Sequence, residues 1–347
     1  MLVKKEIRKY KALLNKILSI LSYLLEYKIS YLKFISDILG NKSLSKHTEI
    51  EYDLVFVIFG FAKNWILEAI CKEIATYFPG KYHFHYSENN IPPAKAYFIA
   101  HYSFLPACLK QNSHMWGSKI LVWYTHPRND LSISNEELIY VLNKTTKVIC
   151  TCSKFVQLLI DQGLKSERVT YILGAADPNI FQSHQRHHGA VGFCTAFYYR
   201  KEPERIFNII KMMPHRKFIL LGKGWEKYEK FPEMRSLPNF DYVEAPYSDY
   251  PKYYALMDVF VSPAKLEGGP IPLVESMMCN VVPVASNTGF SSDLIVHGEN
   301  GFIFDIDNSI EDICNLIDQS FAIKTDIRKT VKNLSWQNFS LQVQQLL

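Results

Sequence analysis

Glu267 and Glu275 stand eight residues apart around the turn Gly268-Gly269-Pro270, and this is where chemistry is most readable in the chain. The run before them, Asp258–Pro263 (DVFVSP), has the apolar, β-branched character of a buried strand, and Pro270–Met278 after them reads as an apolar helix. A helix start presents unpaired N–H groups and the positive end of the helix dipole, which together attract a phosphate group. Pro270 suits the first helical turn, where its missing N–H costs nothing. Pro270 and Pro272 cannot donate, so the expected donors are the amides of Gly269, Ile271 and Leu273. Gly268 and Gly269 carry no Cβ and would admit a ligand close to the backbone. Helical side chains lean toward the N-terminus, so Glu275, about one turn in, is placed to accept from a ribose diol without touching the phosphates. Glu267, on the loop, lies at the mouth, where a sugar attached to a diphosphate would sit. The plainer alternative is an ordinary strand-to-helix turn with one surface Glu and one helix Glu.

These residues need a scaffold, and the chain supplies the pattern of one twice. From Tyr52 onward, short β-branched and aromatic runs alternate with helical stretches. The first series of strands is expected at Leu54–Phe59, Tyr82–Tyr86, Ala96–Ala100, Lys119–Tyr124, Lys147–Thr151 and Arg168–Ile172, with helices such as Asn64–Phe78 and Ser153–Gly163 between them. Ser153 is a candidate N-cap. A second series runs through Val191–Ala196, Lys217–Leu221, Phe240–Val243, Val259–Ser262, Val281–Ala285 and Gly301–Phe304, with helices at Glu202–Met213, Asp249–Met257, Pro270–Met278 and Ile310–Phe321. Such alternation implies two parallel, helix-covered sheets: an α/β chain of two Rossmann-like domains facing across a cleft. The run Asp177–Ala190 is polar and lacks periodicity, so it reads as the connection between them. Its His184, His187 and His188 have no Cys partner or helix face to make a metal site, and a solvated linker is the simpler reading. The expected division is a helical extension over 1–48, a first domain over 49–177, a linker over 178–190, a second domain over 191–334 and a final helix over 335–347.

Composition agrees with a folded, two-domain chain: 347 residues, 48% hydrophobic and 21% charged. The formal net charge is +5, yet Lys4, Lys5, Arg8, Lys9, Lys11 and Lys16 oppose Glu6 alone among the first sixteen residues. A basic tip on a near-neutral body argues for a local contact and against nucleic acid as a partner. Residues 4–39 hold no Gly or Pro and carry Leu14, Ile17, Leu18, Leu21, Leu24 and Leu25 at helical spacing. Asn15, Lys16, Glu26 and Lys28 interrupt the apolar stretch, so it makes a poor membrane span. Three readings stay open for it: peripheral contact with an anionic membrane, a heptad seam making a homo-oligomer, or packing on the next domain. The seven Cys form no disulfide-type pattern, and Cys150 and Cys152 lie too close together for a zinc knuckle. Reduced thiols and a cytoplasmic location follow as expectations, on the cytoplasmic face of the membrane if the basic segment binds there.

At Glu267 and Glu275 the chain resembles the retaining GT-B glycosyltransferases of family 4. Their signature is two Glu separated by seven residues around a small-residue turn. The resemblance extends to Val281-Val282-Pro283-Val284-Ala285-Ser286, to His297-Gly298-Glu299-Asn300-Gly301-Phe302 and to Ser335-Trp336, which in such enzymes opens a final helix crossing back to the first domain, and covers roughly Lys119 to the end. It implies that Glu275 binds the nucleotide ribose and that Glu267 contacts the donor sugar. It implies that His126, at the end of Ile120-Leu121-Val122-Trp123-Tyr124-Thr125, faces donor sugar and acceptor, although a strand-end His is commonly structural; His101 is the weaker alternative. The cations for the pyrophosphate are expected at Arg200 and Lys201 jointly, because Phe193 stands where the family places its Arg; two solvated loop charges are the alternative. Gly222 and Lys223 end a strand beside the nucleotide, and Tyr242 and Val243 lie where such enzymes hold the base with backbone groups. The implied reaction is retaining transfer of a sugar from a nucleoside diphosphate donor to a glycan or glycolipid acceptor, in cell-surface polysaccharide or glycolipid assembly. No metal and no other cofactor is expected. The competing readings are a sugar-nucleotide epimerase, a glycosyl phosphorylase, or a non-catalytic scaffold that keeps the nucleotide site.

Overall fold

The computed structural model describes residues 28–38, 49–128 and 130–347. Helix α1, covering 28–38 of these, buries Ile38 and packs Phe34 against the first domain, with Tyr31 edge-on to Tyr140 at 6.2 Å. Its Ile29 and Leu32 stay exposed. The rest of the expected helical extension, with the basic cluster Lys4–Lys16, lies outside the described residues. Among the described residues, no helix is long and apolar enough to cross a membrane.

The first domain alternates β1 (Tyr52–Val57), α2 (Ile66–Thr76), β2 (Tyr82–His85), β3 (Ala94–Ile99), α3 (Leu105–Gln111), β4 (Lys119–Tyr124), α4 (Asn135–Leu142), β5 (Lys147–Cys150), α5 (Ser153–Asp161) and β6 (Val169–Tyr171). Its strands form one parallel sheet in the order β2-β1-β3-β4-β5-β6. Leu54, Val55, Phe56 and Val57 are all fully buried, as both faces of a helix-covered parallel strand require. The second domain continues with β7 (Ala190–Cys194), α6 (Pro203–Met212), β8 (Lys217–Leu221), α7 (Phe231–Arg235), β9 (Phe240–Val243), α8 (Tyr250–Tyr254), β10 (Val259–Ser262), α9 (Ile271–Met278), β11 (Val282–Ser286), α10 (Ser291–Leu294), β12 (Phe302–Phe304), α11 (Ile310–Ser320), α12 (Ile327–Val331) and α13 (Trp336–Gln345). Its sheet is also parallel, in the order β12-β11-β10-β7-β8-β9.

In such sheets ligands bind outside the strand C-termini where the strand order reverses. In the second sheet that point lies between β7 and β10, the strands that precede Arg200–Lys201 and Glu267. The α/β architecture with two Rossmann-like sheets therefore matches the sequence reading. One correction concerns α5: Cys152, not Ser153, is the cap residue, and the Ser153 amide instead donates to Asp293 Oδ2 across the cleft at 3.2 Å.

The chain crosses between domains twice, and the two crossings touch. The Ala176 amide donates to the Leu334 carbonyl at 3.0 Å. Arg328 on α12 donates to the carbonyls of Pro178 and Met278, each at 2.7 Å, and to that of Phe181. Beyond this junction α13 packs on α2: Ser340 Oγ donates to the Ile74 carbonyl at 2.8 Å, and Phe339 meets the Trp123 ring at 5.4 Å.

Candidate active site

The two facing domains meet at the Gly-Gly turn. Thr151 Oγ1, beyond β5, lies 2.9 Å from the Gly268 carbonyl of the second domain and 2.9 Å from the Thr125 carbonyl of the first. A Cβ on Gly268 would stand 2.3 Å from the Thr125 carbonyl oxygen, and one on Gly269 would stand 2.6 Å from the Phe290 ring. Gly222 is likewise filled, with the Thr195 carbonyl oxygen 2.0 Å from where its Cβ would be. On the side where each of these three glycines lacks a Cβ, the protein's own backbone or Phe290 fills the space. Gly268 is closed on by the first domain, and Gly269 by Phe290 of its own domain.

Helix α9 starts one residue later than expected. Pro270 is its cap residue and Pro272 occupies the first turn. The Leu273 amide donates back to the Pro270 carbonyl at 2.8 Å, so it is committed inside the helix, leaving the amides of Gly269 and Ile271 from the expected donor set. The Val243 carbonyl is also engaged, accepting from the Gly222 amide at 3.0 Å. Tyr242 lays its ring edge-on to Phe231 at 4.9 Å and donates its hydroxyl to Glu244. Lys223, at the end of β8, is exposed.

Glu267, 6% exposed, gathers the two cations. Lys201 Nζ donates to its Oε1, and Arg200 Nη1 lies 3.4 Å from Oε2 while donating to the Leu266 carbonyl at 2.9 Å. The segment carrying these cations is strapped to the Glu267 loop. The Lys265 amide donates to the Arg200 carbonyl at 3.0 Å, and Lys265 Nζ pairs with Glu202 at 3.0 Å. Glu202 holds a left-handed backbone (φ 59°), a conformation that costs a non-glycine residue about 1–2 kcal/mol and that this pairing sustains. Cys194, Thr195, Lys201, Pro263, Glu267 and Pro270 line a small recess at the β7/β10 reversal.

His126 follows β4, half-buried. Burial, then the charges of Arg200 and Arg128, push its pKa below the usual imidazole range, so the ring is neutral near pH 7. His101 is structural: it is buried, with Ser103 Oγ at 2.8 Å from Nδ1 and Thr125 Oγ1 at 3.1 Å from Nε2, and burial pushes its pKa down to about 3. In the linker, His184 lies 3.1 Å from the Tyr254 carbonyl, while His187 and His188 are exposed.

Glu275 is 1% exposed, and each carboxylate oxygen accepts from a tyrosine hydroxyl: Oε1 from Tyr247 at 2.6 Å and Oε2 from Tyr254 at 2.8 Å. Burial pushes its pKa up to about 7, against the pull of the two hydroxyls. The sequence reading missed both tyrosines. Their signal was the tyrosine-rich run Tyr247-Ser248-Asp249-Tyr250-Pro251-Lys252-Tyr253-Tyr254, of which the part from Asp249 onward is read as helix and Tyr247 is given no role.

With that geometry in place, comparison with known proteins narrows the assignment. Residues 186–334 match the family model described as Glycosyl transferases group 1. His126 lies outside that match. An uncharacterized glycosyltransferase of Methanocaldococcus jannaschii is 23% identical over 216 residues, which is 60% of this chain and 60% of the relative's length. The HepE protein of Anabaena, solved with UDP, superposes with a TM-score of 0.69 at 14% identity, covering 84% of this chain and 98% of HepE. A glycosyltransferase from Rickettsia africae gives a TM-score of 0.68 at 14% identity, covering 86% and 97%. The fold is thus that of the GT-B glycosyltransferases, and its second half carries a Glycosyl transferases group 1 domain.

Proposed function

We propose that the protein is a glycosyltransferase that moves a sugar from a nucleoside diphosphate donor to an acceptor hydroxyl with retention at the anomeric carbon. The observation that carries this reading is the grouping of Glu267, Lys201 and Arg200 at the β7/β10 reversal, beside the start of α9, the helix that carries Glu275. HepE, which shares the fold, was solved with UDP, and that favours a nucleotide as ligand.

In this reading the bond from the anomeric carbon to the diphosphate oxygen breaks, and its electron pair leaves on the diphosphate. The acceptor oxygen attacks from the same face, and its proton passes to the departing phosphate oxygen. Arg200 and Lys201, resting on Glu267 when no donor is bound, turn to the diphosphate and stabilise its growing charge with the α9 amides of Gly269 and Ile271. This assigns charge neutralisation to the two side-chain cations and the helix amides rather than to a metal. Glu267, released, accepts from the donor sugar, and the neutral His126 ring contacts the sugar from the first domain. Glu275 binds the ribose, and the ends of β8 and β9, at Gly222, Lys223, Tyr242 and Val243, border the base. The acceptor is placed in cell-surface polysaccharide or glycolipid assembly, a reading supported by the basic amphipathic sequence of residues 4–39.

A thermal-shift and turnover screen against UDP, GDP, ADP, dTDP and CMP sugars tests this. Stabilisation by one nucleotide, with its release from the matching sugar donor, is the expected result. Silence toward all five favours a scaffold without turnover.

A further inference from the structure

Glu275 is the residue assigned to the ribose, yet it is sealed. At 1% exposure no ligand hydroxyl reaches its carboxylate unless something moves, and both oxygens already accept a hydrogen bond. The two partners differ in their freedom. Tyr254 on α8 is 0% exposed, wedged between Phe181, whose ring centre lies at 5.9 Å, and Phe260 at 6.1 Å. Tyr247 is 53% exposed and sits outside α8, on the single turn Tyr247–Asp249 that links β9 to it. Its flanking residues Pro246 and Ser248 are exposed as well, and its ring touches only the edge of the aromatic group, 6.0 Å from Phe181 and 5.3 Å from Tyr250. Of the two hydroxyls on Glu275, the Tyr247 hydroxyl is the one that can leave.

We propose that Tyr247 is a specificity-determining residue of the donor site: its hydroxyl holds Glu275 Oε1 until a ribose hydroxyl replaces it, so the site opens only for a nucleotide that brings such a donor. The proposal rests on the assignment of Glu275 to the ribose and extends it. The exchange is one O–H donor for another on the same carboxylate oxygen, so a ribonucleotide opens the site with little net loss of hydrogen bonding. A nucleotide without ribose hydroxyls has nothing to offer in exchange, because leaving a buried carboxylate oxygen short of a donor is unfavourable. It binds with Tyr247 still in place and gains nothing from Glu275. Tyr254 stays on Oε2 throughout and keeps the carboxylate oriented.

The test is calorimetric titration of the full chain with UDP, GDP and ADP and with their 2′,3′-dideoxy counterparts, for wild type, Tyr247→Phe and Glu275→Gln. Melting without ligand first establishes that each variant is folded. In Tyr247→Phe the competing hydroxyl is gone, so the preferred ribonucleotide is expected to bind about three- to tenfold tighter, the net worth of one ordinary hydrogen bond. The dideoxy nucleotide should change less than about twofold on the same scale. Equal tightening of both would mean that the substitution merely loosens the pocket, and would overturn the proposal. Weaker ribonucleotide binding would make Tyr247 a fixed partner of the ligand and would overturn it too. Glu275→Gln keeps the two failures apart: unchanged ribonucleotide affinity there removes the ribose assignment itself, whereas a loss there with no gain in Tyr247→Phe removes only the exchange. If none of the three nucleotides binds wild type or Tyr247→Phe, both ideas fall.

Discussion

Glu275 shows how a residue visible in sequence acquires its properties from residues that are not. Its spacing from Glu267 is readable in the chain; its raised pKa is not, because the cause is burial in the folded chain, which outweighs the pull of the Tyr247 and Tyr254 hydroxyls. A carboxyl whose folded pKa lies above its unfolded value lets the folded state hold a proton that the unfolded state has lost. Its contribution to stability is complete below about 4.5 and is lost as pH rises through about 7. Melting of wild type and Glu275→Gln from pH 4.5 to 8 should therefore show a decline with pH in wild type that flattens in the variant; parallel curves would refute the titration of Glu275 in that window. The glycines teach the converse. Gly268, Gly269 and Gly222 stood out in the sequence, but their reason is closure against Thr125, Phe290 and Thr195, and no single chain segment displays that contact.

At the scale of elements, the strands were the most legible part. Lys119–Tyr124, Lys217–Leu221, Phe240–Val243 and Val259–Ser262 coincide with β4, β8, β9 and β10, because buried parallel strands read as continuous apolar runs between turn residues. Among the elements that went unread, α7 and α12, of five residues each, and α10, of four, are too short for an apolar period to repeat, and α3, of seven, went unread as well. Helix α4 did carry a signal, the capping box from Ser134 to Glu137, which the structure forms with both hydrogen bonds. The loop between β10 and α9 gives the prediction at this scale. Gly268→Ala places a methyl 2.3 Å from a backbone oxygen of the other domain. It should cost about 1–3 kcal/mol of stability, as overpacking does. Gly117→Ala, which meets nothing within 4 Å, is the control, and equal melting of the two would contradict the domain contact.

For the whole molecule, domain boundaries in sequence and in space part company at the C-terminus. Phe339, 2% exposed, follows the second domain in sequence but fills space beside Trp123 of the first. Phe339→Ala should lower stability by about 3–5 kcal/mol, the usual cost of emptying a buried phenylalanine site. Hydrogen exchange should then rise first in α2 and β4, and a rise confined to the second sheet would count against this packing.

The adjacency of Ala176 and Leu334 has a mechanical consequence. Two chain crossings that touch act as one fulcrum, with Arg328 clasping it, and each sheet becomes an arm extending from it. Rotation about such a pivot displaces a point in proportion to its distance from it, so a few degrees absorbed at the junction are amplified along the arms. The contacts from Ser153 to Asp293 and from Lys154 to the Asn287 carbonyl, at 3.2 and 3.1 Å, then serve as the latch between them.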